Sequence, residues 1–167
     1  MKKTTLFFSI LFILIPSFVF AAETNLKIGV IDGEQILRVA PQVAEINKSL
    51  EKQFRPEHDK LVKDQQTVQA QIEKLNRDGA TMTEKERSVL QDKIIAERTR
   101  LRSKEESFQQ NLNKAQTDAM TKFTNQVKAA VEKLATEQKY DFVFLKQAVI
   151  YSGSQADVTD SVLKKLK

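Results

Sequence analysis

The fold is decided by residues 83–138, which read TEKERSVLQDKIIAERTRLRSKEESFQQNLNKAQTDAMTKFTNQVKAAVEKLATEQ and contain neither glycine nor proline. Apolar residues recur in this stretch at steps of three, four and seven, the spacing of one face of an α-helix. At 1.5 Å per residue the predicted helix is roughly 80 Å long, too long to lie inside a small compact domain. Its apolar stripe comprises Leu90, Ile94, Leu101, Phe108, Leu112, Ala115, Ala119, Phe123, Val127, Ala130 and Leu134.

A second helical pattern covers residues 42–76, and Pro56 within it predicts a kink because proline removes one helical hydrogen bond. The breaker NRDGATM at 76–82 separates the two patterns, and Thr83 with Glu86 then forms a predicted capping box. The order helix, breaker, helix predicts an antiparallel hairpin with its tip at 76–82. The stripe of this helix comprises Val43, Ile46, Leu50, Phe54, Leu61, Val68, Ile72 and Leu75.

Charged residues interrupt both stripes. Glu57 and Asp64 occupy apolar positions of the first helix, and Glu97 and Lys104 do so in the second. Apolar layers separated by charged layers should hold the two helices together while allowing the hairpin to bend.

Short strands are predicted on either side of the hairpin. The run KIGVID at 27–32 predicts a strand, and Asp-Gly at its end predicts a turn at Gly33. After the hairpin, YDFVFL at 140–145 and AVIY at 148–151 predict two further strands, buried on both faces. A short helix then begins at Asp157, which is its expected N-cap.

The predicted fold is mainly α with a small β body, in which a coiled-coil hairpin projects from a strand-built oligomerisation core. Residues 22–41 supply the first strand and turn of the body, 42–139 the hairpin, and 140–167 the C-terminal strands and short helix. Three short strands and one short helix bury too little apolar surface to be stable alone. The sequence therefore predicts self-association through the strands.

The N-terminus predicts export. Residues 1–21 combine a positive start, an apolar run at Leu6–Phe20 and small or apolar residues before a predicted cut after Ala21, as in a secretory signal peptide. The alternative is a membrane anchor, but the run is shorter than the roughly 20 residues that span a bilayer, and Pro16 lies near its end. We expect a cleaved leader and a soluble periplasmic protein.

The composition argues against an enzyme. The chain has no cysteine and a single histidine, His58, which excludes thiolate nucleophiles and paired-histidine metal sites. Gly29 and Gly33 lack the spacing of a dinucleotide fingerprint, and we expect no cofactor. The formal charge is +5, but residues 57–110 carry equal numbers of acidic and basic side chains, so no nucleic-acid partner is expected.

Both ends of the predicted mature chain resemble the Skp/OmpH family of periplasmic chaperones. The run KIGVIDGEQIL at 27–37 is similar to the family's first strand and turn, and 140–144, 148–151 and 157–164 are similar to its C-terminal signature. The hairpin matches in length and pattern only. The resemblance implies a homotrimer whose three hairpins surround a cavity and hold unfolded outer-membrane proteins without nucleotide or metal.

Candidate functional residues fall into three groups. Apolar residues off the two stripes are candidates for client binding, while those on the stripes more often pack the seam. A cluster of positive side chains could contact phosphate or lipopolysaccharide, although a solvated, ion-paired face is the commoner meaning of such a cluster. Apolar strand residues should build the oligomerisation body. The client candidates are Val62, Met82 and Val89, the positive cluster is Arg98, Arg100, Arg102 and Lys104, and the body residues are Val30, Ile31, Phe142, Val143, Phe144, Val149 and Ile150.

The leading functional hypothesis is an ATP-independent periplasmic holdase that binds unfolded outer-membrane β-barrel precursors before membrane insertion. Such precursors expose apolar faces and unpaired strands that aggregate in water. The main alternative is an envelope scaffold in which the hairpin is a fixed spacer and no chaperone activity exists.

Overall fold

The structure is a computed structural model that describes residues 25–166. The predicted signal peptide lies outside these residues. Most described residues are helical, and the two strands form one small parallel sheet. The elements in chain order are β1 (Ile28–Ile31), α1 (Gly33–Val39), α2 (Pro41–Asp78), α3 (Glu84–Gln138), β2 (Phe142–Leu145), 3-10 turns at Lys146–Ala148 and Ser154–Ala156, and α4 (Thr159–Lys165).

Helices α2 and α3 pack against each other as an antiparallel pair, here called the arm. Phe54 of α2 contacts Phe108 of α3 edge to face, with ring centroids 5.9 Å apart and planes at 81°. Residues further along α2 meet earlier residues of α3, as the contact between Gln71 and Glu97 illustrates. The buried side chains in this part of the arm are Phe54, Leu61, Val68 and Ile94, all on the predicted stripes.

The helix ends follow local rules. Pro41 is the first residue of α2, where its missing N–H has no helical partner to lose. The helix continues through Pro56 to Asp78 and includes the first three residues of the predicted tip, and the kink at Pro56 stays a prediction. At the start of α3, Thr83 accepts a hydrogen bond from the Glu86 N–H while the Glu86 carboxylate accepts one from the Thr83 N–H. The predicted capping box is confirmed.

The remaining elements, β1, α1, β2 and α4, form the body, whose core also includes the base of α3 (120–138). Ile36 of α1, Phe123 and Leu134 of α3, and Val162 of α4 are almost completely buried there. Gly29 of β1 lies close to other elements, since a Cβ atom there would be 3.2 Å from Val158 Cγ2. A larger residue would therefore push β1 away from the core.

Three local predictions about the body are wrong. Gly33 does not form a turn; it begins α1, because the Asp32 carboxylate accepts the Gln35 N–H and caps that helix. Asp157 lies one residue before the N-cap of α4, although its carboxylate still accepts the Thr159 N–H. The predicted strand at 148–151 is absent from the described chain.

Residues 146–156 connect the two edges of β1. β2 pairs in parallel with β1 rather than forming a hairpin with the residues that follow it, and Ile28 is in register with Phe142. The opposite edge of β1 pairs with Asp157. The chain after β2 must therefore cross from one edge of β1 to the other, and 146–156 form this connection instead of a strand.

Candidate functional site

The exposed surface of β2 is aromatic. Phe142 and Phe144 stack with ring centroids 5.8 Å apart and planes at 13°, and they are 50% and 42% exposed. Ile28, in register with Phe142, and Leu145 at the end of the strand are also exposed. Phe142, Phe144 and Ile28 share one face of the sheet, and exposed apolar side chains grouped in this way are typical of an interaction site.

The outer edge of β2 carries no strand within residues 25–166. β1 lies between β2 and the bridge at Asp157, so β2 is at the edge of the sheet. Its outward N–H and C=O groups are a template for pairing with a strand from another chain.

An apolar groove lies beside this edge, where the body meets the arm. Its volume is about 370 Å³, and it runs between α1, α3 and the end of β2. Leu37 and Leu145 are exposed at the groove, whereas Ile36 and Phe123 are buried beneath it. The floor and the walls of the groove are therefore apolar. Among the described residues, no side chain closes the groove from the solvent side.

The connection after β2 presents apolar side chains to solvent. Lys146–Ala148 form a single 3-10 turn, and the next three residues have no regular structure. Val149 is half-buried, Ile150 is fully exposed and Tyr151 is 85% exposed. Exposure of two adjacent large side chains predicts a partner for this segment, here called the 149–151 segment.

The predicted oligomerisation residues divide into two groups. Val30 and Ile31 are buried within their own chain, and Val143 packs against the same core. These three side chains hold β1 and β2 in place and are not free to contact a partner. The members of the predicted set that remain exposed are Phe142, Phe144 and Ile150.

Two polar contacts cross the arm between the apolar layers. Lys104 Nζ donates to Asp64 Oδ2 over 2.5 Å, and Gln71 Nε2 donates to Glu97 Oε2 over 2.7 Å. The Lys104 bond is the main reason why the pKa of Asp64 lies below its ordinary value. Three of the residues that interrupt the stripes thus become interhelical contacts.

The positive cluster does not act as one patch. Lys104 points into the arm at Asp64, and Arg102 Nε donates to Glu106 Oε1 over 3.0 Å. Arg98 and Arg100 are exposed and form no ion pair within residues 25–166. These two arginines are the members of the predicted cluster without a carboxylate partner among the described residues.

The client candidates are exposed to different degrees. Val89 is 60% exposed, Val62 is exposed to a smaller extent, and Met82 at the tip is half-buried. Ile95 is 64% exposed and is not among the predicted client candidates. It follows the stripe residue Ile94 directly, so its off-stripe position was a signal that could have identified it.

Two grooves flank the arm near the body. One has a volume of about 510 Å³ and is lined by Phe54, Phe108 and His58, and the other has about 530 Å³ and reaches Phe123. Leu50 lines both grooves. Ala115 and Ala119 of α3 line the second groove, and their small side chains leave it open to solvent.

Two carboxylates of the body accept hydrogen bonds that hold its local structure. The pKa of Asp32 lies below its usual range because the carboxylate accepts the Gln35 N–H and a hydrogen bond from Lys146. The pKa of Asp157 is lowered in the same way, chiefly by the Thr159 hydroxyl. Within residues 25–166 no group of three potential metal ligands is brought together, and no helix is long and apolar enough to cross a membrane.

Comparisons with known proteins agree with one another. The family model described as "Outer membrane protein (OmpH-like)" matches residues 27–166. The protein called "Chaperone protein Skp" from Pectobacterium atrosepticum is 32% identical over 141 residues, which cover 84% of this chain and 86% of that protein. Its namesake from Blochmanniella pennsylvanica is 34% identical over 141 residues, covering 84% and 85% of the two chains.

A solved structure has the same fold. It is the crystal structure of an OmpH-like outer membrane chaperone from Caulobacter crescentus, with a TM-score of 0.75. The match covers 84% of this chain and 83% of that one at 12% sequence identity, so the likeness lies in the fold.

Proposed function

The chain belongs to the OmpH-like family of outer membrane proteins, and on this premise we propose that it is an ATP-independent holdase that binds unfolded outer-membrane β-barrel precursors in the periplasm. The family consists of chaperones, and the chain is not an enzyme. The proposed action is to prevent aggregation of precursors until they insert into the membrane.

One observation carries the proposal: large apolar side chains are exposed on the surface of a long helical arm, away from the seam. Val89 and Ile95 lie on α3 and Val62 on α2, and all three are exposed, whereas the stripe neighbours Leu61 and Ile94 are buried and Leu90 is half-buried. Single exposed apolar residues contribute little each, but several on one arm give weak contacts that add up by multivalency. Weak contacts suit clients of varied sequence, and each can release without an energy source.

The proposed assembly is a homotrimer joined through the body. The stacked Phe142 and Phe144, together with the open edge of β2, supply an apolar surface and a pairing edge. Joining three bodies would bring three arms around one cavity, where a client would meet the exposed apolar residues of every arm. The effective concentration of arm residues inside such a cavity would exceed that of separate chains in solution.

Anionic lipid or lipopolysaccharide is a proposed secondary partner. The exposed Arg98 and Arg100 supply two guanidinium groups, each suited to a phosphate oxygen pair. Their site would be weaker than a four-residue cluster, because Arg102 and Lys104 already bond to carboxylates.

An aggregation assay tests the proposed function. An unfolded β-barrel protein is diluted from urea with and without an equimolar amount of the trimer, in the absence of ATP, and light scattering is followed. We expect the natural protein to suppress scattering. A variant that combines Val62→Ser, Val89→Ser and Ile95→Ser should suppress it less. The control variant carries Thr99→Ser, an exposed polar residue on the same helix. Equal scattering with and without the natural protein would refute the proposal.

A scaffold function is the second candidate, and the polar contacts across the arm favour it. The bonds from Lys104 to Asp64 and from Gln71 to Glu97 tie the helices together, as a fixed spacer requires. This reading predicts one folded partner with a defined stoichiometry and no suppression of scattering. Affinity purification from a periplasmic extract, followed by the scattering assay, separates the two candidates.

A further inference from the structure

We propose that two lysines of the body, Lys27 and Lys165, fix the direction in which the arm leaves the body and thereby set the space between arms. The lysines come from different elements and hold the same end of α3. Their effect on the direction of the arm concerns a single copy, whereas the effect on the space between arms rests on the proposed function.

The C-terminal end of α3 needs partners from outside the helix. The carbonyl oxygens of the last turn of any α-helix have no helical N–H to accept. The last turn of α3 contains no basic residue, and Lys139, which follows it, is in the left-handed conformation with φ 58° and ψ 47°. The N–H groups of Lys139 and Tyr140 both donate to the carbonyl of Ala135. The carbonyls after Ala135 therefore depend on water or on other elements.

Lys27, the residue before β1, supplies one of these partners. Its Nζ donates to the carbonyl oxygen of Gln138 over 2.7 Å and lies 4.2 Å from the centroid of the Tyr140 ring. A cation is favourable at the negative end of a helix, and the face of an aromatic ring attracts it as well. The backbone of Lys27 also donates to Asp141 Oδ2 over 2.7 Å and accepts the Asp141 N–H over 2.8 Å. The sheet of the body is thus bonded to the end of α3.

Lys165, the last residue of α4, binds the same turn of α3. Its Nζ donates to Glu137 Oε2, and its side chain is only 20% exposed, so the ion pair is partly shielded from water. The next residue, Leu166, accepts a hydrogen bond at its carbonyl oxygen from Gln42 Nε2 near the start of α2. The end of α4 is therefore bonded to both helices at the base of the arm.

These polar contacts restrict the direction of the arm in a way that apolar packing does not. Val162 of α4 and Leu134 of α3 are buried in one core, but apolar contacts have no preferred direction. Hydrogen bonds hold their distance and angle within narrow ranges, so two of them from different elements restrict the tilt of α3. Because α3 is roughly 80 Å long, a tilt of about 10° at its base would move its far end by roughly 14 Å. A shift of this size changes the space available to a client.

The distance between two spin labels in one chain tests the proposal. The labels are attached to cysteines at the exposed positions Gln110 on the arm and Asp160 on α4, since the natural chain has no cysteine. Labelled chains are diluted with unlabelled ones, and pulsed electron paramagnetic resonance gives the distribution of distances. We expect Lys27→Met combined with Lys165→Met to widen this distribution about twofold or more, because methionine keeps the apolar stem but donates no hydrogen bond.

Two other lysines give matched controls. Lys114→Met removes a bond to Asp118 within α3, and Lys146→Met removes a bond to Asp32 within the body. Neither bond joins the arm to the body, so both variants should keep the natural width. Lys27→Arg should also keep it, because a guanidinium group donates to a carbonyl and stacks on an aromatic ring.

Exchanging the charges of the second contact gives an independent readout. Lys165→Glu alone places two carboxylates together and should widen the distribution, whereas Lys165→Glu with Glu137→Lys restores an ion pair and should narrow it again. An unchanged width in the double methionine variant would overturn the proposal. Equal widening with Lys114→Met, or no narrowing with the exchanged pair, would overturn it as well.

Two unfolded barrel proteins of different length test the effect on the space between arms. We expect the double methionine variant to suppress the scattering of the shorter protein less than the natural chain does, with a smaller change for the longer one. Equal suppression of both proteins by the natural chain and the variant would refute this effect. A widened distribution in a protein that suppresses no scattering, with the natural chain also inactive, would support the two lysine contacts while refuting the proposed holdase function.

Discussion

Replacing the two stacked phenylalanines of β2 by serine should separate the copies without unfolding them. Phe142 and Phe144 are 50% and 42% exposed in the single chain. A phenylalanine side chain buries about 200 Å² in full, so assembly can cover about 80–100 Å² of each ring. At about 25 cal/mol per Å² the pair contributes about 4–5 kcal/mol per copy.

This magnitude is large enough to measure. A loss of about 4–5 kcal/mol per copy weakens association by about three orders of magnitude for each chain. Sedimentation equilibrium of the variant with Phe142→Ser and Phe144→Ser should therefore give the mass of a single chain at concentrations where the natural protein is a trimer. Far-UV circular dichroism should still report a helical arm.

Two controls accompany this experiment. Leucine at both positions keeps most of the apolar surface and should retain the trimer. Val89→Ser removes an exposed apolar side chain of the arm and should leave the mass unchanged. A trimer that persists in the serine variant at low concentration would show that the aromatic surface of β2 is not in the interface, and the reasoning would be wrong.

Three further predictions concern stability. Replacing Thr159 by valine should lower the free energy of unfolding by about 1–3 kcal/mol in urea titrations, because the Asp32 N–H loses its buried acceptor. Val143→Asp should cost at least about 2 kcal/mol by the same measurement, since this side chain packs against the protomer core, whereas an unchanged unfolding midpoint would contradict that placement. The Asp64 pKa is lowered chiefly by the hydrogen bond from Lys104, so this contact stabilises the arm above the ordinary aspartate pKa and is lost as the pH falls through the lowered value. The melting temperatures of the natural protein and Lys104→Gln should therefore differ at pH 7, and the difference should shrink as the pH falls from the ordinary aspartate pKa of about 3.9 through the lowered value, whereas a difference that is constant with pH would refute this role.

The arm could be predicted from the sequence because helical order is local. The stripes identify which side chains face the partner helix, and Phe54, Leu61, Val68 and Ile94 are buried as that pattern predicts. The capping box at Thr83 depends on residues only three apart, and it was predicted for the same reason. The charged residues that interrupt the stripes were also identified from the sequence. Periodicity, however, does not show which residue of the other helix each of them contacts.

The body could not be predicted to the same degree because its contacts join distant parts of the chain. The edge of β1 opposite β2 pairs with Asp157, so 146–156 connect the two edges of β1, and the sequence pattern of 148–151 does not show this long-range pairing. An apolar run is compatible with a strand, a buried turn or an exposed interface, and only its neighbours distinguish these outcomes. For the same reason Val30 and Phe142, both predicted to join copies, have opposite exposure in the structure.

The most direct test of the holdase account is the mass of the complex with a client. An unfolded β-barrel precursor is diluted into the natural protein without nucleotide, and the species are weighed by native mass spectrometry. The account predicts a complex of three copies with one unfolded client. Free protein beside an aggregated client, with no complex of this mass, would contradict it.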